Sequence, residues 1–339
     1  PVRAPPPRPR TALFSLLPRF PREEVGLNHV IRRSGQALVV LLAAFTAAFV
    51  LLQAMPGDAV MIKFENPELG LSPEQIAALR VAYGVDAPLH RQFLHTLLGF
   101  LSGDFGHSVH SGTPVRRLIA QALPHTLTLA VLGFATATLL ACLIAYLSTY
   151  PRLAWIRGLL RSVPSLFVSV PVFWLGIVLI QVFSFQLGLV SVIRPGPVEG
   201  LILPVLTLAV PISAPLAQIL TRSIDEVQAR PFVTVVRARG ADRSRVLWRN
   251  VAKNALPPAL TMAGVLFGEL IGGAVVTETV FGRSGIGRLT EQAVTNQDVA
   301  VLQAVVLLAA LVFVLINLAV DLLYPVLDPR LKTKAGAAA

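Results

Sequence analysis

The sequence predicts an all-α, polytopic membrane protein with six transmembrane helices. Three observations lead to this: the composition is strongly apolar, six long apolar runs are present, and basic residues cluster in alternate loops. Of the 339 residues, 54% are hydrophobic and 14% are charged, and the mean hydropathy is +0.69. Because a soluble globular domain carries about 25% charged residues, a chain of this composition needs an apolar solvent.

Each apolar run is long enough to cross the bilayer core, which takes about 20 residues. The third run is longer than one span requires, and the fifth is interrupted only by Glu269. The runs cover residues 37–55, 126–147, 162–193, 201–221, 255–276 and 299–320.

The distribution of basic residues predicts the orientation. Arginine and lysine concentrate in the N-terminal tail, in the loops after the second and fourth runs, and in the C-terminal tail. The loop after the fourth run holds eight basic residues, from Arg222 to Lys253, against three acidic ones. The positive-inside rule therefore places both termini in the cytoplasm, and an even number of spans agrees. The net charge of +11 is explained by topology rather than by nucleic-acid binding.

The chain divides into a membrane core and a few flanking segments. Residues 1–27 form a Pro/Arg-rich cytoplasmic tail that we expect to be disordered, and residues 28–55 form a first transmembrane helix that is retained as an anchor. Residues 56–122 are an extracytoplasmic helical loop, with one helix starting at Ser72 and a second near Asp86 that carries apolar residues at helical spacing from Leu89 to Leu101. Residues 123–328 form a five-helix core that contains the loop 222–254, and residues 329–339 are a cytoplasmic tail.

The basic loop after the fourth run has a helix–glycine–helix pattern. The helical pattern runs over residues 230–239, Gly240 interrupts it, and Asp242 is an N-cap for a second helix through Trp248. A short helix projecting from the membrane is suited to insertion into a groove on a partner. From the residues alone, docking and simple retention of the loop in the cytoplasm are both open.

Motifs for bond chemistry or metal binding are incomplete. Residues 282–285 read Gly-x-Ser-Gly, but an intramembrane serine hydrolase needs a general base, and none of the six histidines follows Ser284. No Gly-Lys-Ser/Thr motif is present for a phosphate loop. His107 and His110 lack further ligands, and Cys142 is the single cysteine. We therefore expect no catalytic residue, no metal site and no cofactor bound by this chain.

Seven stretches in consistent order carry a family resemblance. They are LLQAMPGDAV, LRVAYGVDAPLHRQF, LSGDFGHSV, LPHTLTLAVLG, RARGADRSRVLWRNVAKNALPPALT, LIGGAVVTETVFGRSGIGRL and NLAVDLLYPVLDPRLK, between Arg32 and Lys332. Together they resemble the first permease subunit of dipeptide/oligopeptide ABC importers, within the family of inner-membrane components of binding-protein-dependent transport. The resemblance implies a type I importer permease fold whose core is the last five spans.

The resemblance also implies a coupling site. The basic loop corresponds to the EAA loop of the family, and the residues that would seat in the ATPase are Arg237, Ala238, Arg239, Gly240, Ala241 and Asp242. This chain departs from the general pattern because Val236 and Arg237 stand where Glu and Ala are usual. In the external turn 281–287, Arg283 and Ser284 stand where many members have Trp and Pro.

The resemblance further implies the assembly and its task. The expected partners are a homologous second permease, two ABC ATPase subunits or domains that bind the ATP, and an extracytoplasmic substrate-binding protein. The expected place is the bacterial cytoplasmic membrane, and the expected cargo is di- or oligopeptides. Alternatives within the family are nickel, glutathione and haem. An ATP-independent carrier or channel is a further alternative, against which the docking loop argues.

Two features of the fifth run remain open. Gly264, Gly268 and Gly272 form a smooth stripe that lets helices approach closely, either within this bundle or against a second permease. Glu269 lies beside the stripe, where an ionised side chain costs about 2.5–3.5 kcal/mol on insertion scales. It either lines the path and attracts a cationic group such as a peptide amino terminus, or is neutral and hydrogen-bonded to a neighbouring helix.

Overall fold

The computed structural model describes residues 25–53, 72–75, 78, 87–149 and 154–327. In this part of the chain the secondary structure is helical and contains no strand, which confirms the all-α prediction. Two π-helical segments extend the α-helices: Ile180–Gln186 follows the helix Val172–Leu179, and Val246–Val251 joins the helices Arg243–Arg245 and Ala252–Val280. The helices are α1 (Val25–Gln53), α2 (Leu89–Ser102), α3 (Val115–Thr149), α4 (Ala154–Ser169), α5 (Val172–Leu179), α6 (Glu199–Gln228), α7 (Pro231–Ala238), α8 (Arg243–Arg245), α9 (Ala252–Val280), α10 (Ile286–Thr295) and α11 (Val299–Leu327).

Six membrane passes result when each of two bent helix pairs counts as one span. Four helices, α1, α3, α6 and α11, are long and apolar enough to cross alone. The run 162–193, which we expected to form one span, is instead divided between α4 and α5, which meet at 102°. The helix breaks at Pro171 because proline lacks the N–H that would continue the helix and disfavours helical geometry in the residue before it. The second pair bends by 47° between Leu270 and Gly272.

Helices α3 and α6 pack closely because small residues line their contact. Ala137, Ala141 and Ala145 of α3 are fully buried, as are Ala209 and Ala217 of α6. Small side chains let two helix backbones approach within a membrane bundle. The three prolines of α6 lie inside one continuous helix, so they do not break it. Helix α9 and the loop before it complete this core.

The loop after the first span is attached to α1 through aromatic contacts of α2. The Phe45 ring of α1 lies 5.2 Å from Phe93 and 5.6 Å from Phe100 of α2, in edge-to-face geometry. Leu89 and Leu101 are 59% and 77% exposed, so the expected apolar stripe does not pack at its two ends. In the described residues α2 lies against α1 on one side, and its outer side has no second layer to cover it.

Two predicted boundaries of the extracytoplasmic segment can be checked. The helix start at Ser72 is confirmed: Gln75 N–H donates to Ser72 Oγ over 3.2 Å, and Ser72 N–H donates to Gln75 Oε1 over 2.9 Å. The predicted boundary at residue 122 falls inside α3, which begins at Val115. The helix extends outward because Val115 and Ile119 are buried in a second core with α10 and α11.

The terminal tails fall outside this description. The predicted disordered tail 1–27 lies outside the described residues except for its last three positions, which belong to α1. The predicted cytoplasmic tail 329–339 lies wholly outside them.

Candidate functional site

The basic loop folds into an elbow, residues 230–254, at one end of the bundle. Pro231 occupies the first helical position of α7, where its missing N–H costs nothing and its fixed φ suits the helix. Val233, on the inner face of α7, is fully buried in the core shared by α3, α6 and α9. Phe232 and Val235 remain partly exposed at 38% and 51%. The elbow is therefore anchored by one face and open on the other.

Gly240 ends α7 in a left-handed conformation, with φ of +83°. Gly240 N–H donates to Arg237 O over 2.9 Å, and Ala241 N–H donates to Val236 O over 3.4 Å. This pair of bonds is the Schellman motif, which needs a left-handed residue at the position after the cap. Nothing lies within 4 Å of a Cβ built on Gly240. The backbone conformation, and not a lack of space, is what favours glycine here.

Asp242 starts the next helix, as its position predicted. Its carboxylate accepts a hydrogen bond from Arg245 N–H over 3.3 Å. The helix does not stop at Trp248 as expected but continues through the π-helical segment into α9, the fifth span. It continues because Val246, Leu247 and Val251 are buried in the main core, which fixes that stretch to the bundle. The second half of the elbow is thus continuous with α9.

The tip of the elbow is exposed and cationic. Arg237, Ala238, Arg239, Gly240 and Asp242 are exposed, and Ala241 is half-buried beneath them. Further exposed arginines follow at positions 243, 245 and 249. Within the described residues the ion pairs are Arg161–Asp225 and Arg222–Glu226, so the arginines of the tip have no described carboxylate within 4 Å. The tip therefore presents unpaired positive charge to the outside of the subunit.

Glu269 shares an exposed part of α9 with one glycine of the stripe, while the other two glycines are more covered. Glu269 is exposed and has no hydrogen bond to a described residue, while Leu270 beside it is fully buried. Gly264 is buried, and a Cβ on Gly268 would lie 2.6 Å from the Phe313 ring of α11. Gly272 is exposed, with nothing within 4 Å of its Cβ position. Close approach within the chain is thus required at Gly268 and not at Gly272.

A buried carboxyl group at the opposite end of the bundle was missed by sequence reasoning. Glu278, near the end of α9, is fully buried. It accepts hydrogen bonds from the Thr126 hydroxyl over 2.6 Å and from Gly287 N–H over 2.7 Å. The Thr126 hydroxyl in turn accepts Ile286 N–H over 2.8 Å. This network ties α9, α3 and the start of α10 together and satisfies helix N-terminal donors of α10.

The network also explains two glycines in the turn between α9 and α10. A Cβ on Gly285 would lie 2.1 Å from Glu278 Oε1, and one on Gly287 would lie 2.3 Å from the Val275 backbone. The signal in the sequence was an acidic residue two positions beyond the apolar run, followed by Gly-x-Gly. Ser284, in the same turn, is exposed.

Comparison with known proteins now defines the class. Residues 137–333 match the family model described as "Binding-protein-dependent transport system inner membrane component". Residues 26–130 match its companion, "Binding-prot-dependent transport system membrane comp, N-term". The chain belongs to this family and is an inner-membrane permease subunit of an ABC importer, not itself catalytic.

Individual relatives show how far the similarity extends. The glutathione transport system permease protein GsiC of Salmonella typhimurium (strain LT2) is 34% identical over 308 residues, which cover 91% of this chain and 100% of that protein. The GsiC protein of Escherichia coli (strain K12) is 33% identical over the same coverage. Among solved structures, an inward-facing conformation of the MetNI methionine ABC transporter matches with a TM-score of 0.54 and 18% identity, covering 62% of this chain and 96% of that one. This last likeness shows the fold alone.

Proposed function

We propose that this subunit carries peptide-class solutes across the cytoplasmic membrane, as one half of an ATP-driven pore. The relatives described above are named as glutathione permeases, and glutathione is a tripeptide. Di- and oligopeptides share with it a free amino group, a free carboxylate and peptide bonds. Nickel has none of these groups. Haem has carboxylates but neither an amino group nor a peptide bond, and both are alternatives that the transport assay below separates.

The elbow 230–254 is the single observation that carries the proposed mechanism. In this proposal its tip, residues 237–242, seats in a groove of an ABC ATPase, and nucleotide-driven closure of the ATPases moves it. Burial of Val233 and Val251 in the main core supports a rigid connection, so the movement reaches α9 instead of being absorbed locally. The result is coupling between two distinct sites, ATP hydrolysis in the partner and opening of the pore in this chain.

The elbow also supports the proposed orientation. It carries the densest positive charge and would therefore lie in the cytoplasm. Six passes then place both termini on that side. The assembly would contain a homologous second permease, two ATPase subunits or domains that hold the ATP, and an extracytoplasmic binding protein. This chain would hold no cofactor of its own.

Glu269 is assigned to the translocation path. Its side chain is exposed and lacks an internal partner among the described residues, which argues against the alternative of a hydrogen bond to a neighbouring helix. An exposed carboxylate in contact with lipid is costly, so it must face water or another subunit. Gly272, also exposed, would face the same second permease or the pore. A carboxylate on the path would attract the amino terminus of a peptide.

Reconstitution tests this function. The chain, a second permease and the ATPases are placed in liposomes, and the binding protein is added outside. Uptake of labelled dipeptides, glutathione, nickel and haem is then compared. ATP-dependent uptake of a peptide is expected. Uptake of nickel or haem alone would reject the peptide class, and uptake without nucleotide would reject the importer mechanism.

A further inference from the structure

A cavity of about 370 Å³ with mixed polar and apolar walls lies at the end of the bundle opposite the elbow. It is bounded by the loop between α5 and α6, the first turns of α6, and the turn between α9 and α10. Arg283, His125 and Glu199 are the ionisable side chains that line it. On the orientation proposed above this cavity opens to the outside.

Arg283 is held in the cavity wall by one side of its guanidinium group. Its Nη1 donates to Gly200 O over 2.8 Å. Its Nε is buried and has no hydrogen-bond partner in the described part of the chain. A buried donor without an acceptor costs free energy, so the arrangement is incomplete as it stands.

Glu199, the acidic residue in the same cavity, does not accept a hydrogen bond from Arg283 Nε. Glu199 Oε1 accepts Ser191 N–H over 2.5 Å, and Oε2 accepts Gly196 N–H over 3.3 Å. Both oxygens thus organise the loop between α5 and α6. Glu199 makes no ion pair with Arg283, since the described residues contain ion pairs only at Arg161–Asp225 and Arg222–Glu226.

We propose that this cavity is a carboxylate-binding subsite at the outer mouth of the permease, with Arg283 as the residue that grips the ligand. A guanidinium group binds a carboxylate through two parallel N–H bonds, and with Nη1 committed to Gly200 the edge that carries Nε is the one left for this. Because Nε is shielded from solvent here, a ligand reaches it only after the guanidinium turns this edge toward the cavity. The subsite takes the free carboxylate of the solute as it leaves the binding protein. This inference rests on the proposed peptide function and outward orientation.

The carboxylate has two possible sources, the solute and an acidic side chain of the binding protein, and uptake of a matched peptide pair distinguishes them. The reconstituted complex is supplied with binding protein saturated with either alanyl-alanine or its C-terminal amide. The variants are Arg283→Gln, which removes the charge, and Arg283→Lys, which retains a donor for Gly200 O but loses the fork. Arg194→Gln is the control because Arg194 is an exposed cation of the loop between α5 and α6 that is not among the residues lining the cavity. Thermal unfolding of each complex shows that it has assembled.

Loss of a charged hydrogen-bonded pair is expected to lower the kcat/KM for uptake of the free-acid peptide by about tenfold to a hundredfold in Arg283→Gln. Uptake of the amide should be unchanged, Arg283→Lys should lie between, and Arg194→Gln should match the wild type. If both peptides are affected equally and more binding protein is needed to stimulate ATP hydrolysis, the carboxylate belongs to the binding protein and the subsite stands.

The proposal is overturned if Arg283→Gln equals Arg194→Gln in uptake and in stimulated ATP hydrolysis. A wild-type complex that transports neither of these dipeptides, nor glutathione, nor longer peptides rejects the peptide function instead. In that case the stimulation of ATP hydrolysis by the binding protein still tests the cavity.

Discussion

Replacing Gly240 with alanine is expected to weaken coupling to the ATPase without disturbing the membrane core. Gly240 has φ of +83°, and a left-handed conformation costs an L-residue about 1–2 kcal/mol. No atom lies within 4 Å of the new Cβ, so the whole cost is conformational. A penalty of this size lowers the population of the native elbow by about 5- to 30-fold relative to alternatives.

Two further variants isolate the backbone effect. Asparagine visits the left-handed region more readily than alanine, so Gly240→Asn should restore much of the loss. Gly158, exposed within α4, also has nothing within 4 Å of its Cβ position but has ordinary helical geometry. Gly158→Ala should therefore be neutral, or stabilise α4 by up to about 1 kcal/mol.

The assay is the concentration of ATPase subunit that gives half-maximal ATP hydrolysis in liposomes holding the two permeases and liganded binding protein. That concentration should rise, by at most about 30-fold, in Gly240→Ala and fall back toward the wild-type value in Gly240→Asn. Equal behaviour of Gly240→Ala and Gly158→Ala would refute the role assigned to this backbone conformation.

Three other predictions concern α9. Glu278→Ala removes the acceptor of two buried donors and should destabilise the assembled complex by about 2–6 kcal/mol. Glu278→Gln keeps one acceptor and the shape of the side chain, so its thermal midpoint should fall much less. Equal midpoints of the two variants would contradict the network. Gly268→Ala places Cβ 2.6 Å from the Phe313 ring and should lower the stability of the complex by about 1–3 kcal/mol, while Gly272→Ala should be tolerated. If both variants unfold at the same temperature, close helix approach is not required at Gly268. Glu269→Gln should slow uptake of cationic peptides relative to neutral ones in the liposome assay, and unchanged selectivity would remove Glu269 from the path.

Local chemistry made the elbow predictable. A glycine between two helical patterns and an aspartate two residues later are short-range signals. The glycine ends one helix and the aspartate caps the next, and each acts within a few residues of its own position. Gly240 closes the bonds of α7, and the Asp242 carboxylate accepts Arg245 N–H three residues on. The continuation into α9 was not predictable in the same way, because it depends on Leu247 and Val251 reaching a core built from other helices.

The buried network at the other end shows what a single sequence leaves open. Glu278 and Thr126 are 152 residues apart, and only the packing of α9 against α3 brings them together. The break at Pro171 likewise depends on the surrounding packing and not on proline alone. Three prolines in α6 do not interrupt that helix, whose apolar stretch is 56% buried among its neighbours, whereas Pro171 stands where the chain turns by 102°. Proline weakens a helix locally, and the surrounding contacts decide whether it bends.

Crosslinking at the tip of the elbow is the most direct test of the proposed coupling. Cysteine is introduced at Ala238, which is exposed beside Gly240, in a chain whose native Cys142 is replaced by serine. In the intact complex we expect a crosslink to the ATPase subunit whose yield changes when a non-hydrolysable nucleotide is added. A cysteine at Gly158, exposed on α4, serves as the matched control. The account is contradicted if the cysteine at position 238 reacts only with lipid-soluble or water-soluble reagents, forms no crosslink to the ATPase, and transport continues without ATP.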